Sequence, residues 1–372
     1  MNYDVVIVGG GLAGLSLSID LRKRGYNVIV IEKGNYPRHK VCGEYISMES
    51  HNYLKSILPC LDDLNLPHIT NFKLSSTSKK QFSTALDLGG FGISRYLLEE
   101  LLFTEAKNNG VKFLLNTKVL EIKYDTAKDF YSIKTNTNDI SSSIVCNSSG
   151  RKSNLEVKES ITNQSKTNYV GIKYHIKLNR DSTLIEIHNF PGGYCGISNI
   201  EENKVCLCYI VNADKLKAVQ NSIPELERQF LYQNPQLKKI FTESEFIFKE
   251  PITISGINFL IKKSVSKTHF YLGDAAGSIA PITGNGMSIA LRSASVLAKN
   301  IDLFLSNKIS KTQLTHNYTQ FWDKEFGLRI KLSRYFQKLS EYPFLTKPTI
   351  SLFNLFPFIA KIIIKQTHGK PF

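Results

Sequence analysis

Three glycines spaced as Gly9-x-Gly11-x-x-Gly14 and an acid, Glu32, are the residues whose types and spacing first suggest chemistry. Gly9 allows a tight turn, Gly11 lets the backbone approach a pyrophosphate with no Cβ in the way, and Gly14 lets a helix pack closely on a strand. The free N–H groups at the helix start then meet the phosphate charge. Glu32 is placed to accept hydrogen bonds from an adenosine ribose, and its charge repels a 2′-phosphate, which excludes NADPH as the nucleotide at this position. A second set begins at Gly273-Asp274 and continues through Pro281, Gly284, Gly286 and Met287. Asp274 can accept from ribose or ribityl hydroxyls, and Gly284 and Gly286 permit close backbone approach to a flat ring.

The elements that must hold these residues are readable from periodicity. A β-branched run ending at Val8 predicts a buried parallel strand, residues 12–24 predict a helix stopped by Gly25, and residues 27–31 predict the strand that delivers Glu32. This unit alone leaves NAD and FAD both open. A further strand predicted before Gly273 and a helix over residues 287–300 frame the second set. Between the two sets the pattern turns to alternating strands, around residues 170–176, 184–188, 205–210 and 245–248, with a helix over residues 216–231 and an edge strand over residues 82–88. The fold class expected is α/β: a Rossmann-like nucleotide domain with an inserted antiparallel β-sheet substrate domain and a helical C-terminal region. Its expected parts are residues 1–70, 90–165 and 264–305 for the first, 71–89 and 166–263 for the second, and 306–372 for the third.

With both glycine sets present, the chain resembles the superfamily of FAD-dependent oxidoreductases with the aromatic-hydroxylase fold. That group contains class A flavin monooxygenases, geranylgeranyl reductases and flavin-dependent halogenases. The resemblance implies FAD, held at Gly9, Gly11, Leu12, Ala13, Gly14, Glu32 and Lys33, at Val119 and Gly150, and at Gly273, Asp274, Pro281, Gly284, Gly286 and Met287. Arg95, at a predicted helix start, matches an arginine that contacts the pyrophosphate or ribityl chain in the family. The stretch Arg38-His39-Lys40-Val41-Cys42-Gly43 is similar to a segment of the geranylgeranyl reductase branch. It would place Arg38 on the adenine or pyrophosphate side, and Cys42 and Gly43 beside the flavin. From the residues alone, Cys42 reads as a small buried filler.

The family's middle motif has glycine and serine at Gly150 and Ser153, but Ser149 stands where an aspartate is expected. The electron donor therefore stays open among NAD(P)H, reduced flavin and ferredoxin. Tyr194 and Cys195, in a glycine- and proline-rich turn, are expected to shape a substrate cavity together with Pro281. The resemblance implies reduction of carbon–carbon double bonds in an isoprenoid or other long apolar substrate by hydride transfer from FAD. The alternative is a monooxygenase that hydroxylates or epoxidises an aromatic or polyketide-like molecule through a C4a-hydroperoxide. The single tryptophan, Trp322, lacks the partner that tryptophan halogenases carry.

Composition excludes several other classes. Six scattered cysteines without a CxxC pair give neither a zinc site nor a disulfide framework, so no metal is expected. No GxSxG, HExxH or Walker lysine motif is present, and no residue stands out as a catalytic acid or base. His175 and His188 read as ordinary hydrogen-bonded strand residues. The +15 charge comes without a nucleic-acid-binding motif, so nucleic acid is not an expected partner; an apolar or lipid-like small molecule is. The start of the chain carries no export signal, which points to the cytoplasm. Residues 329–372 hold eight Lys or Arg and one acid, Glu341, amid many aromatics. Residues 352–365 read either as a helix closing the core or as an interfacial helix on a membrane surface.

Overall fold

The unbroken apolar runs of the first strands can be buried only inside a sheet covered on both faces, and that is where they lie. The computed structural model describes residues 2–151, 155, 168–258, 262–266 and 269–372. Strand β1 (Asn2–Val8), helix α1 (Leu12–Lys23) and β2 (Val28–Ile31) form the opening βαβ unit, with Gly25 at φ +94° ending α1. The chain then leaves this unit through β3 (Tyr45–Ser47), α2 (His51–Ile57), β4 (His68–Ser75) and β5 (Gln81–Gly92). It returns through α3 (Arg95–Asn108), β6 (Lys112–Leu114), β7 (Val119–Asp125), β8 (Phe130–Thr135) and β9 (Asp139–Asn147). The first sheet has the order β6-β2-β1-β9-β8-β7, parallel from β6 to β9 and antiparallel beyond.

The second sheet takes β10 (Tyr169–Lys177), β11 (Leu184–Phe190), β12 (Gly193–Asn199) and β13 (Val205–Asn212). Helices α4 (Ala213–Ala218), α5 (Ile223–Gln229) and α6 (Pro235–Glu243) cover one of its faces, and β14 (Glu245–Phe246) and β15 (Ile252–Ile257) complete it. Its order is β14-β10-β13-β12-β11-β4-β5-β3, with β15 also on β10. The sheet is antiparallel except where β11 pairs with β4 in parallel. Two expectations change here. The helix expected over residues 216–231 is broken, because Gln220 and Asn221 adopt φ of 54° and 63° and Ser222 caps a new helix that has proline in its first turn. The strand expected at the edge over residues 82–88 is present, paired with β4 on one side, and β3 joins β5 only beyond it, at residues 90–92. Residues 45–47, allotted to the nucleotide part, therefore belong to the second sheet.

A short strand, β16 (Phe270–Tyr271), adds to β9 in parallel and brings the chain back to the first sheet. Helix α7 (Gly286–Leu305) then packs on α1, and α8 (Lys311–Ser340) packs on α7. Ser310 and Gln313 form a capping box at the start of α8. Leu314, Tyr318, Trp322, Phe326 and Ile330 of α8, at helical spacing, face the core, and the Tyr318 hydroxyl donates to the Tyr271 carbonyl at 2.8 Å. Two last helices, α9 (Pro343–Leu355) and α10 (Pro357–Thr367), lie against β4 and β5 through Ile350, Phe353 and Ala360. Ser153, expected in the middle motif, lies outside the described residues.

Candidate functional site: a glycine-lined cavity between the two sheets

The glycine turn after β1 is shaped by what a side chain there would strike. Gly9 has φ +98°, and a Cβ on it would sit 2.7 Å from the Ser148 carbonyl oxygen. A Cβ on Gly14 would come within 2.1 Å of the Gly9 carbonyl oxygen, so this glycine serves helix-on-turn packing and does not border the cavity. At Gly11 a Cβ would meet only the Lys40 Nζ, at 3.4 Å. Gly11 caps α1 without a side-chain hydrogen bond, which leaves the first N–H groups of the helix for a ligand. Two features thus come together at Gly11: open space and free donors.

Glu32 directly follows β2, at 4% exposure. It accepts from the Gly10 and Gly34 amides at 2.7 and 2.9 Å and pairs with Arg38 Nη1 at 2.7 Å. Burial opposes its charge, but Arg38 and the two amides outweigh burial and hold the carboxyl below its usual range. Three cations, Arg38, Lys40 and Arg95, converge on the buried Glu99, with Arg38 at 3.3 Å and Lys40 at 3.1 Å. Burial would raise the Glu99 pKa, yet these cations bring it down to about 2. Burial in turn lowers Lys40 to about 8, partly offset by Glu99. The Arg95 Nε is buried without a hydrogen-bond partner among the described residues. A wall with more cations than its shared carboxylate can neutralise, beside a free helix N-terminus, suits a diphosphate.

The second glycine set reaches the same place because β16 extends β9. Gly273, at φ +58°, packs its Cα against Ala13 of α1: a Cβ there would lie 3.2 Å from the Ala13 Cβ. Asp274 follows, half exposed and 3.8 Å from Arg151. Gly284, at φ +68°, turns the chain into α7, whose cap residue Asn285 makes no side-chain cap bond and keeps a buried Oδ1 without a hydrogen-bond partner among the described residues. A Cβ on Gly286 would meet only Ile279, at 3.8 Å. The starts of α1 and α7, both uncapped by side chains, therefore open on one cavity of about 990 Å³. These residues fit FAD, with an anion-binding end at α1 and a close-approach backbone at α7.

Gly9, Gly11, Leu12, Ala13, Glu32, Lys33, Arg38, Cys42, Gly43, Arg95, Gly150, Gly273, Asp274, Pro281, Gly284, Gly286, Met287 and Tyr194 all border this cavity, as does Ser149. Val119 does not; it packs with Val6, Ile31 and Tyr131 beneath the first sheet. Cys195 is also displaced from its expected place. On β12 it alternates with Tyr194 and Gly196, so it points away from the cavity into the apolar layer with Phe190, Tyr209 and Leu226.

The sequence reading missed Glu44, Lys173 and His175. Glu44 is fully buried at φ 55° and accepts from the Arg95 amide at 2.8 Å, from Lys173 Nζ, and from His175 Nε2 at 2.6 Å. It borders the cavity next to Cys42 and Gly43, whose carbonyls accept from Cys206 Sγ and Ser198 Oγ at 3.3 and 3.0 Å. Lys173 and His175 sit two apart on β10 and so share a face. Glu44, His175 and Cys206 place their donor atoms within 4.8 Å of one another, but the Lys173 ammonium already supplies positive charge to that carboxylate.

Beyond the flavin-side loop the cavity continues between the second sheet and the last helices. Ile187, Ile210, Ile282, Leu345, Phe353 and Ile363 line this arm, with Phe72 and Leu74 from β4.

Comparison with known proteins agrees with this layout. Residues 4–41 match the family model described as an FAD binding domain. A ubiquinone hydroxylase from Neisseria meningitidis is 23% identical, with 99% of this chain and 85% of that protein aligned. A digeranylgeranylglycerophospholipid reductase from Methanococcus aeolicus is also 23% identical, over 91% of this chain and 88% of the other. Among solved structures, a flavin-dependent brominase superposes with a TM-score of 0.81 at 20% identity, covering 99% of this chain and 93% of that one. The chain is thus similar at once to proteins named for a hydroxylation, a reduction and a bromination, and with the FAD-binding match over residues 4–41 and two helix starts opening on one cavity it is an FAD-dependent oxidoreductase.

Proposed function

We propose that the enzyme reduces carbon–carbon double bonds in an isoprenoid or similarly long apolar molecule. The observation that carries this reading is the apolar arm, which runs from the Pro281–Gly284 turn to α9 and α10 and is walled by Ile, Leu and Phe side chains. Bound FAD supplies the hydride of such a reaction. The protein's own part is to hold and enclose. The Gly11 and Gly286 helix starts and the Arg38, Lys40 and Arg95 cluster bind the dinucleotide, and Lys40 Nζ keeps its proton below a pH of about 8. Glu32 and Asp274 accept from its hydroxyls. Leu345, Phe353 and Ile363 fix an extended chain by burial and keep water from the reacting carbon. The Cys42-Gly43 wall and Ser149 in place of aspartate also support the reductase reading.

The monooxygenase reading draws support from the ubiquinone hydroxylase, which matches nearly the whole chain. Anaerobic mixing of the photoreduced holoprotein with a polyprenyl lipid separates the two. Saturated product in the absence of oxygen is expected. Unchanged lipid, followed by a hydroxylated or epoxidised product once oxygen is admitted, would transfer the chain to the monooxygenases.

A further inference from the structure

Helices α9 and α10 turn one face to the cavity and leave another, equally apolar, in water. Phe344, Leu355, Phe358 and Ile362 are 70%, 70%, 59% and 56% exposed. At the junction of the helices, Leu355, Phe356, Pro357 and Phe358 form an uninterrupted exposed run. Single exposed apolar side chains are ordinary on a water-facing surface, whereas a contiguous run of large ones marks a contact site. Leu352 belongs to both faces, since it borders the cavity and is 43% exposed. The apolar patch and the substrate arm therefore meet at this residue.

Charge selects the partner. Residues 342–372 contain no Asp or Glu. Lys347, Lys361 and Lys365 are exposed around the bend, and among the described residues none of them forms an ion pair. A second copy packed on this face by two-fold symmetry would bring like charges together. Nucleic acid would satisfy the lysines but leave the phenylalanines and leucines in water. An anionic lipid surface satisfies both. No described helix is long and apolar enough to cross a membrane alone, and α9 and α10 meet at 110°, a shape suited to lying in the headgroup region.

We propose that α9 and α10 form a docking surface for an anionic lipid bilayer. The Leu355–Phe358 bend enters the boundary between headgroups and acyl chains, the three lysines rest on the headgroups, and the cavity mouth at Leu352 faces the membrane. This surface is separate from the choice between reduction and oxygenation, so a failure of either leaves the other standing.

Flotation of the purified holoprotein with phosphatidylcholine vesicles, with and without about one third phosphatidylglycerol, tests it. Binding to the anionic vesicles is expected, with a loss of about tenfold or more in neutral ones. Leu355→Asp with Phe358→Asp should abolish binding, while flavin content and melting temperature stay those of the wild type because both side chains are exposed. Replacing Lys347, Lys361 and Lys365 together by Gln should weaken binding by about a hundredfold, at roughly fivefold per lysine. Wild-type protein that fails to float, floats equally with neutral vesicles, or floats undiminished after the double substitution overturns the proposal. So does a dimer that the double substitution dissolves in the absence of any vesicle binding.

Discussion

Replacing Glu44 with glutamine removes the one carboxylate shared by Lys173 and His175 of β10 and the first turn of α3. Both Glu44 and Lys173 are fully buried, so Glu44→Gln leaves an ammonium in the interior with no counter-charge. Breaking a buried pair from one side costs about 3–5 kcal/mol, whereas removing both partners together is often close to neutral. Glu44→Gln should therefore unfold at markedly lower urea, and Glu44→Gln with Lys173→Met should recover most of the loss. Urea titration read by fluorescence of Trp322, which is buried in α8, gives the free energies, and flavin absorbance gives cofactor content. Flavin should be lost too, because Glu44 fixes the Arg95 amide and the segment that carries Cys42. The pair also sets a pH window. Burial opposes charge on Glu44, but His175 and Lys173 prevail and lower its pKa from 4.5, so its contribution is present above pH 4.5 and is lost as pH falls through the lower folded value. Lys173 is raised from 10.5 by Glu44 against burial, so its contribution is present below pH 10.5 and is lost as pH rises through the folded value. A Glu44→Gln protein within about 0.5 kcal/mol of wild type would refute the claim that this carboxylate ties β10 to the start of α3.

The two helix-turn glycines should fail differently. Gly11→Ala fills open space and is expected to weaken FAD binding by about 10–100-fold in a flavin titration, with the unliganded protein's melting point little changed. Gly14→Ala collides with the Gly9 carbonyl and should cost about 1–3 kcal/mol of stability even without flavin. Burial lowers the pKa of His188, which is hydrogen-bonded to Ser75, to about 4, against an ordinary 6.5. Its neutral form stabilises the fold, so stability should decline by up to about 3 kcal/mol as pH falls from 6.5 towards 4, and His188→Gln should remove that part of the slope in urea melts. Thr349→Trp, in the apolar arm, should raise KM for long substrates about tenfold in steady-state assays while flavin content is unchanged.

What the sequence disclosed and what it hid follow from range. The β1-α1-β2 unit with Glu32 is legible because each element depends on its own neighbours: an apolar run, a glycine stop, a second apolar run. The return through β16 to α7 is legible for the same reason. Alternation on β10 leaves the surroundings of Lys173 and His175 open, since period two cannot tell a wet face from a buried one that carries its own counter-charge. That counter-charge, Glu44, comes from about 130 residues earlier, beyond any local pattern. Cys195 was open to a better reading, because neighbours on a strand cannot both face one cavity. The break between α4 and α5 was hidden by Gln220 and Asn221, which take left-handed conformations without the glycine that usually announces them.

The parallel seam between β4 and β11 governs when the enzyme can be assembled. Residues 68–75 emerge from the ribosome about 110 residues before the strand that covers them, on the order of ten seconds at ordinary synthesis rates. During that interval the edge of β4, with Phe72 and Leu74, is open to any other chain that offers a strand. Newly made protein should accordingly depend on chaperones until β11 arrives, and slowed translation between residues 75 and 184 should lower the soluble yield more than slowing elsewhere.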